Sequence, residues 1–278
     1  MARLWIKSVA LFISTGSFAA AQCHATDYLA LPILSITGDF ERAALSLAYP
    51  DISFSTDDGL VSADGLQWIE FGAIRDIHPQ QRLAEPSVIE QFVDIYPLSF
   101  NLSGRKLPYF DPGRVRNDAF FRSLYFQSAE NASASLVAVS EPTLTNTVFR
   151  VTGKRNVACQ LAAVLKTLAS TQKDYSAVFS MSGGGYNWRV ISGTDRLSPH
   201  SFGVAVDVNP GLGQYWKWTG ATEGNVGAYN NRIPAEVVMT FERYGFIWGG
   251  KWHHFDGMHF EFRPELILYA RLVSVFEE

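Results

Sequence analysis

Along residues 157–168 the apolar side chains Leu161, Val164, Leu165 and Leu168 recur at three- and four-residue intervals. That is the stripe of a helix burying one face. A second helical stripe follows Pro234, where Val237, Val238 and Phe241 share a face and Gly245 closes the run; proline suits the first turn because it has no N–H to lose there. Residues 264–272 read as a closing helix, and the aromatic-rich stretch 120–126 as a short one. Strand patterns fall at 66–74, 177–181 and 259–262, and from Gly203 the residues alternate. There Val204, Val206 and Val208 point one way while Gly203, Ala205 and Asp207 point the other. Helices and short strands mix without a regular strand–helix–strand rhythm, which predicts an α+β fold rather than a doubly wound sheet.

Turn signals divide the remainder. Asp57-Asp58-Gly59 and Ala63-Asp64-Gly65 punctuate the first hundred residues, and Asp111-Pro112-Gly113-Arg114 marks the expected boundary. The predicted organisation is a signal peptide over residues 1–25, an extension or small domain over 26–110, and a catalytic domain over 111–278. Ser182-Gly183-Gly184-Gly185 reads as a flexible turn; no Lys-Ser/Thr follows it, so a phosphate cradle is poorly supported.

Composition adds bounds. The chain has 278 residues, 47% hydrophobic and 18% charged, in the range of a packed globular protein. A net charge of −4 supplies no basic field for nucleic acid. Trp and Gly crowd between 183 and 252, which builds either a substrate groove or an aromatic core. At the amino terminus, Arg3 and Lys7 precede a short apolar run that ends in Ala19-Ala20-Ala21, the pattern of a cleavable export signal. This predicts a protein of the periplasm, cell envelope or medium with no stable membrane insertion after cleavage. Cys23 stands at the processing site and Cys159 within a helical apolar pattern, so no disulfide framework is expected and Cys159 reads as a small buried hydrophobe.

The chemistry gathers in two segments. The first is Ser198-Pro199-His200-Ser201-Phe202-Gly203-Val204-Ala205-Val206-Asp207. Its second strand face stays small until it reaches one carboxylate, and His200 precedes the strand at a turn. The second runs from Trp248 to Phe262 and brings His259 with Asp256 three residues earlier. Two imidazoles and a carboxylate suit zinc, and a fourth position left to water makes such a site catalytic.

These segments resemble the S-x-H-x-x-G-x-A-x-D and D/E-x-x-H signatures of zinc D-alanyl-D-alanine carboxypeptidases and dipeptidases, which the L-alanyl-D-glutamate endopeptidases share. The resemblance spans roughly residues 115–275 and implies a small antiparallel sheet with flanking helices, related to the hedgehog amino-terminal signalling domain. It implies one zinc per chain on His200, Asp207 and His259, Asp256 as the general base, and Arg189 as the arginine on the polarised carbonyl, with Arg196 as the alternative. Ser198 matches the motif serine, a contact to substrate or to a ligand. Glu261 shares strand parity with His259, so it either orients a ligand or competes with Asp256 for the water. Trp252 flanks the groove or packs in the core. His253 and His254 match no ligand position and read as surface residues or substrate contacts. The implied substrate is the stem peptide of peptidoglycan. Two rivals stand beside this: a non-catalytic zinc-containing cell-wall binding module, and an exported metallo-amidohydrolase of another substrate.

The export signal carries its own test. Amino-terminal sequencing of exported protein is expected to begin at Gln22, and an intact Met1 in a membrane-bound form would overturn the cleavage.

Overall fold

The computed structural model describes residues 23–33, 38–57 and 59–276. The signal segment before Cys23 lies outside the described residues. In chain order the elements are α1 (Phe40–Ala48), β1 (Ser53–Phe54), β2 (Leu60–Ser62), β3 (Ile69–Glu70), α2 (Pro79–Ala84), α3 (Asp118–Leu124), α4 (Ala129–Ala134), β4 (Leu136–Val139), β5 (Phe149–Thr152), α5 (Val157–Ala169), α6 (Ser176–Phe179), β6 (Ala205–Asp207), α7 (Pro210–Gly213), α8 (Ala235–Arg243), β7 (Phe246–Trp248), β8 (His259–Phe262) and α9 (Pro264–Phe276). The strands form three small antiparallel sheets, in the orders β1-β2-β3, β4-β5 and β6-β8-β7. The fold is α+β, as the mixed rhythm predicts.

The two helical stripes are as expected. Leu161, Val164, Leu165 and Leu168 of α5 and Val237, Val238 and Phe241 of α8 are buried, and the two helices pack together. From α8, Phe241 stacks on Phe260 of β8 with ring centroids 3.9 Å apart. The central strand β8 is therefore held from behind by aromatic packing as well as by its neighbours.

One apolar core takes residues from both sides of the turn at 111–114, from Tyr28, Leu45, Tyr49 and Phe92 through Phe260 to Leu272. Helix α1 lies against α9, and Tyr49 donates to Glu265 Oε2 at 2.7 Å. The turn is itself wedged into that core. A Cβ on Gly113, whose φ is +102°, would stand 2.2 Å from Ile247 Cδ1. The Gly113 carbonyl accepts from Arg263 Nη1 at 2.8 Å, and the Pro112 carbonyl from Trp252 Nε1 at 2.6 Å.

Three local expectations are corrected. Residues 177–181 are not a strand: Asp174 accepts the Ser176 N–H at 2.8 Å and starts the single turn α6, which a left-handed Met181 (φ +54°) ends. So short an apolar run has no period to read. Of residues 66–74 only Ile69–Glu70 is strand. Asp64 Oδ1 captures the N–H groups of Leu66 and Gln67, both at 2.9 Å, and holds that stretch in a turn. Cys159 is not a free buried thiol, because it forms a disulfide with Cys23, Cα atoms 5.5 Å apart across 136 residues of sequence. Spacing alone carries no sign of a pairing so distant. Beside it, Gln160 exchanges hydrogen bonds with both backbone groups of Thr26, at 2.8 and 3.0 Å.

A cross-link closing so long a loop removes much chain entropy from the unfolded state. Cys159→Ser is expected to lower unfolding free energy by about 2–5 kcal/mol. Denaturant titration of the variant, beside wild type with and without reductant, checks it; indistinguishable midpoints would show that the cross-link contributes no stability.

Candidate metal and active site

The register of the third sheet places the site. In the β6–β8 pair Asp207 stands directly opposite His259, and Ala205 opposite Glu261. Residues opposite each other in an antiparallel pair share a face. The small side chain of Ala205 thus leaves room for the Glu261 carboxylate, which gives the small-residue face in the sequence its purpose. His200 reaches the same face from the one-turn helix Pro199–Phe202, which Gly203 ends in a left-handed conformation (φ +67°). A Cβ there would approach the Thr152 backbone nitrogen to 2.8 Å, and the Gly203 carbonyl accepts that same N–H at 2.9 Å.

Three donor atoms converge. His200 Nε2 lies 3.2 Å from His259 Nδ1 and 3.3 Å from Asp207 Oδ1, and His259 Nδ1 lies 3.0 Å from that oxygen. The opposite ring nitrogens are occupied. His200 Nδ1 is 2.6 Å from the Gly185 carbonyl, which can only accept, so the proton sits on Nδ1 and the Nε2 lone pair faces inward. His259 Nε2 lies 3.4 Å from Glu261 Oε2 and donates there, turning its Nδ1 lone pair to the same point.

The donor set fits zinc. Tetrahedral N and O ligands at about 2.0–2.2 Å from a metal stand roughly 3.3–3.5 Å from one another. The observed triangle is within a few tenths of an ångström of that. The field of the site also favours a cation: burial alone would lower the His259 pKa, yet the hydrogen bonds to Asp207 and Glu261 raise it to about 10. Asp207 is held well below the carboxylate range, because the charges and hydrogen bonds of His200 and His259 outweigh its burial. Among the described residues these three form the one group of His, Cys, Asp and Glu side chains placed to share a metal ion.

Glu261 is buried and braced from outside. Burial would raise its pKa, but the hydrogen bond to His259 and the charges of Arg116 and Arg263, each 3.6 Å from Oε1, bring it to about 2. Its second oxygen is committed to His259 Nε2, so Glu261 orients that imidazole. Asp256 is placed differently. Its backbone is fixed by Gly249 (3.0 Å) and a bridge to Tyr215, while its Oδ1 is buried with no hydrogen-bond partner.

A cleft of about 510 Å³ exposes the metal-site residues together with Asp256, Ser198, Arg189, Arg196 and Trp252. Arg189 is exposed at its mouth, and Arg196 is buried in its wall. Trp252 is buried, its ring centroid 5.7 Å from that of His259. Both neighbouring histidines are buried rather than on the surface. His253 Nδ1 lies 2.8 Å from the Arg105 carbonyl, and His254 Nδ1 donates to Asp111 at 2.6 Å while its Nε2 accepts from Gly224.

Residues 192–262 match the model of a family described as D-alanyl-D-alanine carboxypeptidase. The match covers about a quarter of the chain and contains His200, Asp207, His259, Asp256 and Glu261, and it supports a peptidase of that family. Arg189 lies just outside it. No curated protein and no solved structure is significantly similar to the chain.

Sequence reasoning missed the glycine turn. The Gly184 carbonyl accepts the Asp207 N–H at 2.9 Å, and the next carbonyl fixes His200. A Cβ on Gly183 would come within 2.9 Å of Asp207 Cβ, and one on Gly185 within 2.3 Å of the Arg150 carbonyl. The run of glycines lets this turn lie against both strands. Arg116 and Arg263 were also missed. Arg263 carried a faint signal, two residues beyond Glu261, but Arg116 carried none.

Glu261 provides the prediction. Partners behind a metal-bound imidazole typically contribute about 10- to 100-fold to metal affinity. Glu261→Gln is expected to weaken zinc binding by that factor in competition with a chromophoric chelator, while His259→Ala loses stoichiometric zinc. Unchanged affinity in Glu261→Gln would remove its orienting role.

Proposed function

We propose that this chain is a zinc-dependent peptidase acting on the stem peptides of peptidoglycan, with His200, Asp207 and His259 holding the metal. One observation carries the reading: Asp256, which has a buried carboxylate oxygen with no hydrogen-bond partner, lines the same cleft as the converging donor triad. A structural metal site has no use for such a group.

Zinc, when bound, supplies Lewis acidity that polarises a carbonyl and lowers the pKa of water to about 7. The rest is the work of side chains. Burial pushes the Asp256 carboxyl up to about 6, the nearby charges of His259 and Asp207 acting in opposite senses. A base of that strength is ionised at neutral pH yet still takes a proton readily. Asp256 accepts the proton of the attacking water at Oδ1 and returns it to the leaving amine. Arg189, exposed at the mouth, donates to the carbonyl oxygen as charge develops on it. The substrate peptide bond is of the D-Ala-D-Ala or L-Ala-D-Glu kind.

Export is part of the proposal. The Cys23–Cys159 disulfide suits an oxidising compartment. Cleavage after Ala21 retains Cys23, and a sulfur bonded to Cys159 is not available for lipid attachment. Among the described residues no helix is long and apolar enough to cross a membrane.

Asp256→Asn keeps the shape of the side chain and loses its basicity. It is expected to retain near-stoichiometric zinc while turnover falls about 10²- to 10⁴-fold, the usual contribution of a positioned base. Mass spectrometry of purified peptidoglycan after incubation, with zinc content measured alongside, checks both. A wild-type enzyme that carries zinc and leaves the wall intact would favour a binding module. A dead Glu261→Gln beside a fully active Asp256→Asn would exchange their roles.

A further inference from the structure

Arg196 is the cation in the cleft wall that the proposed chemistry leaves unused. It is 8% exposed, and its Nε is buried with no hydrogen-bond partner. Among the described residues its side chain makes one weak hydrogen bond, from Nη1 to the Arg114 carbonyl at 3.3 Å. No carboxylate among the described residues forms an ion pair with it. Asp118 and Glu261 act on it only through space: Asp118 Oδ2 accepts the Leu197 N–H at 3.1 Å while its Oδ1 is buried without a hydrogen bond, and Glu261 serves His259, Arg116 and Arg263. The neighbouring arginines are matched, Arg114 with Asp111 at 3.4 Å and Arg116 with Glu261 at 3.6 Å.

A guanidinium removed from water with no direct ion pair is costly, and proteins retain one where a bound group completes the pairing. Burial, and then the charges of Arg116 and Arg114, lower the Arg196 pKa to about 10, with Asp118 and Glu261 offsetting only part of this, so it stays charged at neutral pH. A guanidinium is planar and forked, the shape that takes both oxygens of a carboxylate, and the Nε of this one lacks an acceptor. It lines the same cleft as the metal ligands and Asp256.

We propose that Arg196 is the receptor for a substrate carboxylate, and so a specificity-determining residue of this peptidase. The carboxylate has two possible sources: the α-carboxylate of a chain terminus, which would make the enzyme an exopeptidase, or the side-chain carboxylate of a stem residue. The inference rests on the peptidase reading of the cleft, but binding tests it without turnover.

The measurement is calorimetric binding to zinc-loaded Asp256→Asn protein, which holds peptide without cutting it. Three probes are used: a stem peptide with both carboxylates free, its C-terminal amide, and the same peptide with the side-chain carboxylate amidated. A buried charge-assisted contact is expected to make one amidation cost about 10- to 100-fold in affinity. Adding Arg196→Gln should abolish that difference by weakening the free acid to the level of the amide, and Arg196→Lys should restore it in part. The probe that loses affinity identifies the source. Equal binding of all three probes overturns the proposal, as does a selectivity that persists in Arg196→Gln. If Arg196→Gln does not fold, the selectivity of the parent and its reduction in Arg196→Lys decide. Wild-type zinc enzyme that leaves wall peptides uncut would overturn the hydrolytic reading and leave these binding ratios to judge Arg196 on their own.

Discussion

Three donor atoms aimed at one point, each about 3 Å from the others, have given up their water and crowd two imidazoles against one carboxylate. A chain keeps such an arrangement only if each donor is fixed from behind. Here every donor is. Asp207 and His259 face each other because the β6–β8 register puts them opposite, and a slip of one residue would turn both away. The Gly185 carbonyl fixes the ring of His200, and Glu261 fixes that of His259. Glu261 is in turn held ionised in the interior by Arg116 and Arg263. The site is therefore a chain of dependencies, from backbone carbonyl and arginine pair to imidazole to metal position, and the packing of Phe241 on Phe260 sits beneath all of it.

What the sequence made legible follows from how local each signal is. The α5 and α8 stripes read correctly because their period repeats within a dozen residues. The convergence of His200, Asp207 and His259 was legible because the small face before Asp207 and the Asp256–His259 spacing are compact patterns. The strand at 259–262 and the α+β class followed from the same local logic. The misreadings are of a different kind. Nothing near Cys159 announces Cys23, nothing near Arg116 announces Glu261, and the glycines at 183–185 look like slack until β6 lies beside them. His253 and His254 seemed solvated because their partners, the Arg105 carbonyl and Asp111, lie some 150 residues earlier. Contacts that span the chain leave no trace in a window.

The first hundred residues show what such contacts achieve. They carry no chemical motif, yet they support the loop that bears Asp256. Lys251 of that loop is buried against Glu242 (2.6 Å) and the Pro97 carbonyl (2.6 Å). Tyr96 bonds both Glu242 and the Trp248 N–H. Asp111 grips the backbone and ring of His254, and Pro112 the indole of Trp252. Taken together, these bonds make the stretch before residue 115 one wall of the loop that bears Asp256. The disulfide acts at the far end of the same arrangement, where it ties the start of the described chain to α5.

The two sides of the cleft differ in how firmly they are built. The ligands and Asp256 sit on strands or on a loop bonded from both flanks, and nearly all their neighbours are buried. Other residues of the lining are different: Arg189, Lys217 and Trp218 are exposed on segments held by turn hydrogen bonds and isolated bridges. A reacting carbonyl must meet donor atoms placed to a fraction of an ångström, which rigid strands provide. A peptide must enter and leave, and loops allow that at small cost. Arg196 stands where the two regimes meet, on the loop side in sequence but buried like the ligands. Under the proposed function, a group so placed fixes a substrate against the donor triad without hindering its entry.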